Sequence, residues 1–251
     1  MKICALFLLI VVLGPVVFPP ALSGGPPFFT DDPAPLAFRQ WEFYVASQDV
    51  NTKTGLSGTA PHFELNYGAS SNLMLHIITP LNYSKPRGAG ALYGLGDIEL
   101  GFKYRFVKEK GAMPEVGTFP HLEVPTGSRR RGLGNGRPQV FIPIWVLKSF
   151  GPWATYGGAG LWTNPGPGNR NYWAYGWEVQ RELSKVVTIG AEIFGNTETA
   201  RGEGSRTGLN FGAILTPSRG QSILLSAGRD IHGPSRFSIY VAYYRTFGPQ
   251  D

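Results

Sequence analysis

The sequence predicts an all-β fold, namely an antiparallel transmembrane β-barrel of about twelve strands of the bacterial outer-membrane type. Three observations predict it: segments that alternate apolar and polar residues, connectors that alternate between long and short, and an export signal at the start. The stretch from Ile98 to Phe106 shows the first of these, because large apolar residues stand at every second position, with charged residues or glycine between them. Successive side chains of a strand point to opposite faces, so this strand has one apolar and one charged face.

One such strand fits two kinds of protein. A soluble β-sandwich packs the apolar face into its core, whereas an outer-membrane barrel turns that face to lipid and the charged face to a wet interior. The choice between the two therefore depends on the rest of the chain.

The first residues are typical of a secretory signal peptide. A Met-Lys start precedes an apolar run over residues 3–18, and small residues spaced for signal peptidase end at Ser23. A membrane anchor is the alternative, but a Gly-Pro pair interrupts the run, which is shorter than the roughly 18 residues of a spanning helix. The single cysteine, Cys4, lies in this segment, so we expect no disulfide and no cysteine metal site in the exported chain.

We therefore expect three parts: a signal peptide over residues 1–23, a proline-rich periplasmic lead segment over 24–37, and the transmembrane barrel over 38–248. The lead has an alternative placement, folded back to plug the lumen, which Phe28 and Phe29 favour. No second long apolar run follows the signal, which excludes a helical membrane protein.

Twelve segments of about ten residues have the length at which a tilted strand crosses a bilayer. In the first, Phe43 and Val45 share one face and Glu42 lies on the other. The seventh is the weakest, because its glycines blur the two faces. In chain order the predicted cores are Gln40–Gln48, Gly58–Tyr67, Asn72–Asn82, Asp97–Val107, Val116–Thr126, Pro138–Leu147, Trp153–Trp162, Tyr172–Gln180, Val186–Asn196, Thr207–Thr216, Ser222–Arg229 and Phe237–Phe247.

The connectors differ in length by parity. Those after odd-numbered cores are long, as in DVNTKTGLSG after the first core and GSRRRGLGNGR after the fifth, and they carry much glycine and arginine. Those after even-numbered cores, such as GASS, KSFG and TPSRG, are mostly short, although KEKGAMPE after the fourth core is intermediate. Outer-membrane barrels pair short periplasmic turns with longer outside loops, while a soluble sandwich has no reason to sort its loops this way. This pattern favours the barrel and predicts that the long connectors face outward.

Two stretches also carry a family resemblance: GPPFFTDDPAPLAFRQWEFYVAS, from Gly25 to Ser47, and GLGDIELGFKYRF, from Gly94 to Phe106. They resemble the outer-membrane transporter family labelled "MetA-pathway of phenol degradation". The resemblance extends over most of the exported chain, and its motifs are structural rather than catalytic. It implies an outer-membrane barrel that takes up small compounds, aromatic compounds among them.

If the apolar faces of the strands meet lipid, the charged side chains at the alternate positions of the same strands point into the lumen. Charges are costly against lipid but acceptable in a wet interior, and about twelve strands should enclose a narrow or partly blocked passage. Surplus carboxylates would make a conducting pore prefer cations or neutral solutes; alternatively, the glutamates pair with Lys103, Arg105 and tyrosine hydroxyls to fill the lumen. The predicted lumen-lining residues are Glu42, Glu64, His76, Glu99, Lys103, Arg105, His121, Glu123, Glu178 and Glu192.

Basic residues cluster in the predicted outside loops, where the phosphates of lipopolysaccharide offer anionic partners. The alternative is a solvated loop that keeps the surface soluble. The formal net charge of +6 could suggest nucleic acid, but the chain has no nucleic-acid motif. The predicted lipopolysaccharide contacts are Lys85, Arg87, Arg129, Arg130, Arg131 and Arg137.

No enzyme activity, catalytic residue, metal site or cofactor is predicted. A hydrolase needs its nucleophile and base within hydrogen-bond reach, and the neighbours His232 and Ser235 lie in a loop where such pairs are mostly solvated. Asp31 and Asp32 could hold calcium, but directly before Pro33 they more often form a turn.

The sequence thus predicts an outer-membrane pore or transporter for small solutes, aromatic ones among them by resemblance, in contact with membrane lipid and lipopolysaccharide, and a monomer is favoured. Two alternatives stay open. One is a non-conducting structural or lipopolysaccharide-interacting barrel, and the other is a secreted soluble β protein.

Overall fold

The structure is a computed structural model that describes residues 25–249. The predicted signal peptide, residues 1–23, lies outside the described residues. Within the described part of the chain, no helix is both long enough and apolar enough to span a membrane.

Between residues 25 and 249 the chain forms fourteen strands and a single 3-10 turn, Arg129–Arg131. The strands are β1 (Trp41–Thr52), β2 (Gly55–Ser70), β3 (Leu73–Pro86), β4 (Leu92–Leu95), β5 (Ile98–Val107), β6 (Glu115–Thr118), β7 (His121–Val124), β8 (Gln139–Phe150), β9 (Trp153–Trp162), β10 (Tyr172–Glu182), β11 (Val187–Asn196), β12 (Arg206–Ser218), β13 (Gln221–His232) and β14 (Phe237–Phe247).

All pairings are antiparallel, and β1 pairs with β14 to close the sheet into a barrel. We call each pass of the chain from one end of the wall to the other a crossing, and two of the crossings are each divided between two strands. β4 and β5 both pair with β3 and form one crossing, and β6 and β7 both pair with β5 and β8 and form another. The wall therefore has twelve crossings, as the sequence predicts, and the fold class is confirmed.

The two interruptions have local causes. Between β4 and β5, the Asp97 carboxylate accepts hydrogen bonds from the backbone N–H groups of Gly127 and Asn135, at 2.8 and 2.5 Å, and so leaves the strand to hold a loop. Between β6 and β7, Pro120 has no N–H to give to the ladder, and Pro143 on β8 also lacks one. Across Pro120 the alternation of inward and outward side chains is kept, with Phe119 and His121 on the same inner face. Between β4 and β5 it shifts by one residue, because Gly94 and Glu99 lie five residues apart but pair with Asn82 and Ile78, which lie four apart on one face of β3.

The outer face is apolar, as the opening pattern predicts. On β5 the side chains of Leu100, Phe102 and Phe106 are 40–54% exposed, and comparable exposed apolar residues follow each other around the wall. At one end, Trp41 lies against Tyr67 with ring centroids 4.4 Å apart, as in the aromatic girdles of outer-membrane barrels. An apolar belt of this kind is stable in lipid and not in water, so the protein is an outer-membrane barrel.

The glycine-rich strand β9 keeps its predicted bounds. Its glycines make room for aromatic rings of the neighbouring strands: a Cβ at Gly158 would lie 2.8 Å from the Trp145 ring, and one at Gly157 would lie 2.5 Å from the Trp177 ring. Rings that cover glycines in this way restore packing that the strand itself lacks.

The connectors largely follow the predicted parity, and we name the two ends of the barrel accordingly. The turn end carries the two-residue turns 71–72, 151–152 and 219–220, and the loop end carries the longer connectors 125–138 and 163–171. One expectation was wrong: the first connector is not a long loop, because β1 and β2 continue as a hairpin that leaves only residues 53–54 between them.

Candidate functional site in the barrel lumen

The inner face carries the charged side chains that the alternation places there. Arg105 lies 3.4 Å from the carboxylate of Glu115, a residue that the sequence argument did not single out. Glu42 accepts a hydrogen bond from the Tyr244 hydroxyl at 2.8 Å. Six of the predicted residues are buried, namely Glu42, Glu64, His76, Lys103, Glu178 and Glu192, and four are half-buried, namely Glu99, Arg105, His121 and Glu123.

Residues 25–37, named here the N-terminal segment, lie inside the barrel instead of extending from it as a periplasmic lead. The Ser226 hydroxyl of β13 donates to the carbonyl oxygen of Pro27 at 2.6 Å. The ring of Phe29 stacks on Phe194 of β11, with centroids 4.4 Å apart. The segment therefore occupies part of the lumen and contacts the wall through both backbone and side chains.

Glu192 holds the middle of this segment. Its carboxylate accepts hydrogen bonds from the backbone N–H groups of Phe29 and Thr30, each at 2.8 Å, and from the Asn210 side-chain amide at 2.8 Å. A carboxylate that receives three N–H groups has its buried charge well satisfied, and the two backbone bonds fix the position of the segment. Glu192 is therefore an anchor for the segment.

Lys103 holds the segment from the opposite wall. Its ammonium lies 2.8 Å from a carboxylate oxygen of Asp31 and 3.2 Å from one of Asp32. The Phe119 ring lies below it, with the nitrogen 4.9 Å from the ring centroid. The sequence predicts that these two aspartates form a turn. Their carboxylates neutralise the buried charge of Lys103, which forms its salt bridges with them.

Inward-facing glycines make the space that the segment fills. A Cβ at Gly176 on β10 would lie 2.1 Å from the Thr30 hydroxyl, and one at Gly212 on β12 would lie 2.8 Å from the Phe28 ring. Real Cβ atoms do not approach other atoms so closely, so a larger residue at either position would displace the segment. The wall is therefore built to receive residues 28–30.

The wall formed by β2, β3, β5 and β7 carries a connected polar network. His76 lies 2.6 Å from the Asn66 side-chain oxygen through Nδ1 and 3.0 Å from Glu99 through Nε2. Asn66 donates to Glu64 at 2.8 Å, and His121 Nδ1 lies 3.4 Å from Glu99. These carboxylates are partnered by wall residues and not by the N-terminal segment.

An arc of aromatic rings, which the sequence argument missed, follows the inner face near the loop end. His121, Phe141, Trp162 and Tyr172 are successive register partners across β7, β8, β9 and β10. Phe141 and Trp162 stack with centroids 4.8 Å apart, and Trp162 and Tyr172 stack at 6.3 Å. Trp162 and Tyr172 are only half-buried. The sequence did contain a signal for this arc, because each of three adjacent strands, β8, β9 and β10, carries an aromatic residue at an inward position.

The predicted lipopolysaccharide contacts lie at the loop end. Arg131 donates a hydrogen bond to the Tyr93 carbonyl oxygen at 3.0 Å, which ties the 3-10 turn to the β3–β4 hairpin. No contact in the structure tests their role, which stays a prediction. All six are exposed: Lys85, Arg87, Arg129, Arg130, Arg131 and Arg137.

The pair considered for hydrolysis is also at the loop end. His232 ends β13, and Ser235 lies in the turn that follows. Within residues 25–249, no hydrogen bond joins their side chains, and no three His, Asp or Glu side chains are grouped so that they could hold a metal ion.

The sequence profile of the family labelled "MetA-pathway of phenol degradation" matches residues 43–246. The chain belongs to this family. The resemblance drawn from the two sequence stretches is thereby confirmed. A comparison with curated protein sequences found no match.

The family fold also resembles solved outer-membrane barrels. An outer-membrane channel from Pseudomonas putida F1 is 18% identical, with a TM-score of 0.72, over 86% of this chain and 98% of that chain. The KdgM porin is 8% identical, with a TM-score of 0.57, over 81% and 99%. The translocator domain of the autotransporter NalP from Neisseria meningitidis is 10% identical, with a TM-score of 0.52, over 83% and 88%. These likenesses confirm the barrel fold of the outer-membrane type.

Proposed function

We propose that the protein is an outer-membrane channel for small solutes that carry an aromatic ring. The observation that carries this proposal is the arc of rings from His121 to Tyr172 on the inner face. A lumen filled for stability alone has no need to leave the stacked rings of Trp162 and Tyr172 half-exposed at one height, whereas a planar solute gains contact from them. Offset stacking between two rings contributes roughly 0.5–1.5 kcal/mol beyond burial.

The position of the arc suits a first binding step. It lies near the loop end, whereas the N-terminal segment and its anchors Glu192 and Lys103 lie further toward the middle of the strands. A solute that enters from the loop end would meet the rings before it meets the segment. The partly exposed Phe29 ring, stacked on Phe194, would be the next aromatic contact.

The inner charges select against one class of solute. Glu99 and Glu123 face each other across β5 and β7, and Glu178 and Glu192 do so across β10 and β11. Carboxylates in a narrow passage repel anions, so neutral and cationic ring compounds are favoured. We assign this role to the inward glutamates, in addition to their structural one.

Names of related proteins agree with a channel. The family label refers to phenol degradation, and two of the compared barrels are named a channel and a porin. The occupied lumen favours a second candidate, a barrel that does not conduct. Electrical recording distinguishes the two.

The test is ion-current recording from the purified barrel in a planar bilayer, with phenol and then cyclohexanol added as blockers of similar size. Replacing Trp162 by alanine should weaken the block by phenol about two- to tenfold, the equivalent of one stacking contact. The block by cyclohexanol should change less. Trp173→Ala is the matched control, because Trp173 is the next residue to Tyr172 and faces outward, 53% exposed.

Two results would contradict the proposal in different ways. Absence of any current from the wild-type barrel would favour the non-conducting candidate. If phenol and cyclohexanol block the wild-type current equally, and Trp162→Ala behaves in the same way as Trp173→Ala, the protein is a channel without a preference for aromatic solutes.

A further inference from the structure

The outer wall over β12, β13 and β14 is not smooth. Two adjoining hollows of about 370 and 300 Å³ meet at Phe211 and Ala227. They arise because the small residues Ala213 and Ala227 lie between larger side chains such as Ile239 and Phe237. The lining is almost entirely apolar, and the hollows form one groove along the wall.

An arginine lies at the loop end of this groove. Arg229 belongs to β13, faces outward like Ala227 and Ile231, and is exposed. Its register partners are Leu209 on β12 and Phe237 on β14. Within residues 25–249, no side chain or carbonyl group forms a hydrogen bond or ion pair with its guanidinium.

An outward arginine in this position needs an anion from outside the protein. Charged side chains on the lipid-facing surface of a barrel are destabilising, and less so near the headgroups. Arg229 lies three residues before the end of β13, at the loop end. If the loops face outward, as their parity predicts, its guanidinium lies where the headgroups of the outer leaflet begin.

We propose that the wall formed by β12–β14 binds one molecule of lipid A, the phosphorylated anchor of lipopolysaccharide. One acyl chain lies in the groove over Ala213 and Ala227, and a phosphate group binds Arg229. Guanidinium and phosphate match in charge and in paired hydrogen-bond geometry. The proposal rests on the outer-membrane location and is independent of any channel activity.

Charge complementarity argues against a second copy of this chain as the occupant. A copy seated on the groove would cover Arg229 with an apolar wall, and a two-fold arrangement would bring two arginines together. Either outcome leaves a desolvated charge without a partner. The site also differs from the loop arginines, because Arg131 contacts the β3–β4 hairpin, several strands away from β13 in the sheet order.

The test measures lipid binding to the purified barrel in mild detergent by native mass spectrometry. The probes are bisphosphorylated lipid A, the same lipid A without its phosphates, and inorganic phosphate. The variants are Arg229→Gln, Ala227→Leu to fill the groove, and Arg181→Gln as control. Arg181 also faces outward, but at the turn end, where it lies over Trp153 at 5.0 Å. A shift of gel mobility on heating shows that each variant is folded.

Loss of one charge-assisted contact predicts about a tenfold or greater weakening of lipid A binding in Arg229→Gln. Ala227→Leu should weaken binding of both lipid probes, Arg181→Gln should bind as the wild type does, and inorganic phosphate should not compete at equal concentration. Equal affinity of wild type and Arg229→Gln would overturn the proposal. So would equal binding of the two lipid probes, or a stable dimer that Ala227→Leu dissociates.

Discussion

The contact between Glu192 and the N-terminal segment can be broken by one substitution, Glu192→Ala. The carboxylate accepts two backbone N–H groups, from Phe29 and Thr30, at 2.8 Å each. Hydrogen bonds to a charged group contribute roughly 1.5–3 kcal/mol each, so the two contribute about 3–6 kcal/mol. Release of the buried carboxylate from its desolvation offsets part of this, and we expect about 2–4 kcal/mol of net loss in the docking of the segment.

Hydrogen exchange followed by mass spectrometry measures this loss directly. A decrease of 2–4 kcal/mol corresponds to roughly 30- to 1,000-fold faster exchange of the amides in residues 25–37, since each 1.4 kcal/mol is about tenfold. The barrel strands should keep their protection. In planar bilayers, the same variant should pass a larger current, because a loosened segment leaves more of the lumen open.

Glu99→Ala is the matched control, because it removes an inward carboxylate from the opposite wall. Glu99 contacts His76 and His121 and makes no hydrogen bond to the segment among the described residues. Two results would refute the view that Glu192 anchors the segment. Hydrogen exchange in residues 25–37 could stay unchanged in Glu192→Ala, or it could increase equally in Glu192→Ala and Glu99→Ala.

Three further predictions concern the same barrel. Gly176→Val should displace the segment and raise the current, since its Cβ would lie 2.1 Å from the Thr30 hydroxyl, whereas Gly90→Val, with open space around it, should change nothing. A peptide tag inserted at Gly90 should bind antibody on intact cells, and one at Gly151 in a turn should not; the reverse labelling would invert the orientation. Glu99→Gln should move the reversal potential in a salt gradient toward lower cation preference, and an anion-selective wild type would contradict the role assigned to the inner carboxylates.

The positions of the strands were predictable because alternation is a local property of the chain. The bounds of β9 and β14 agree with the predicted cores at both ends, even though β9 is rich in glycine. The break at Phe119–Pro120 was not predicted, since the alternation continues across it while the ladder does not. The first connector was wrong for a related reason: its polar residues fit a loop, but they also fit a hairpin that extends beyond the membrane.

The inner site was predictable only in part. Parity indicated which side of its strand Glu192 occupies, but its partners Asn210 and Thr30 depend on the register of β11 against β12 and on a segment 162 residues away. The alternation of one strand carries no information on either. The aromatic arc was missed for the same reason, because stacking of Phe141 on Trp162 follows from cross-strand register.

One pattern in the sequence does contain the missing information, once the faces are assigned. Gly176, Gly190 and Gly212 lie on the inner face of three adjacent strands, and Gly190 and Gly212 are register partners. About twelve strands enclose a narrow passage, and neighbouring inward glycines widen it locally, so they leave a space into which another part of the chain can pack. Phe28 and Phe29 of the N-terminal segment are large apolar side chains that can fill this space. The inward glycines and the N-terminal segment therefore form one structural unit. A larger residue at one of the glycines should displace the segment, and loss of the segment should leave the space over the glycines unfilled.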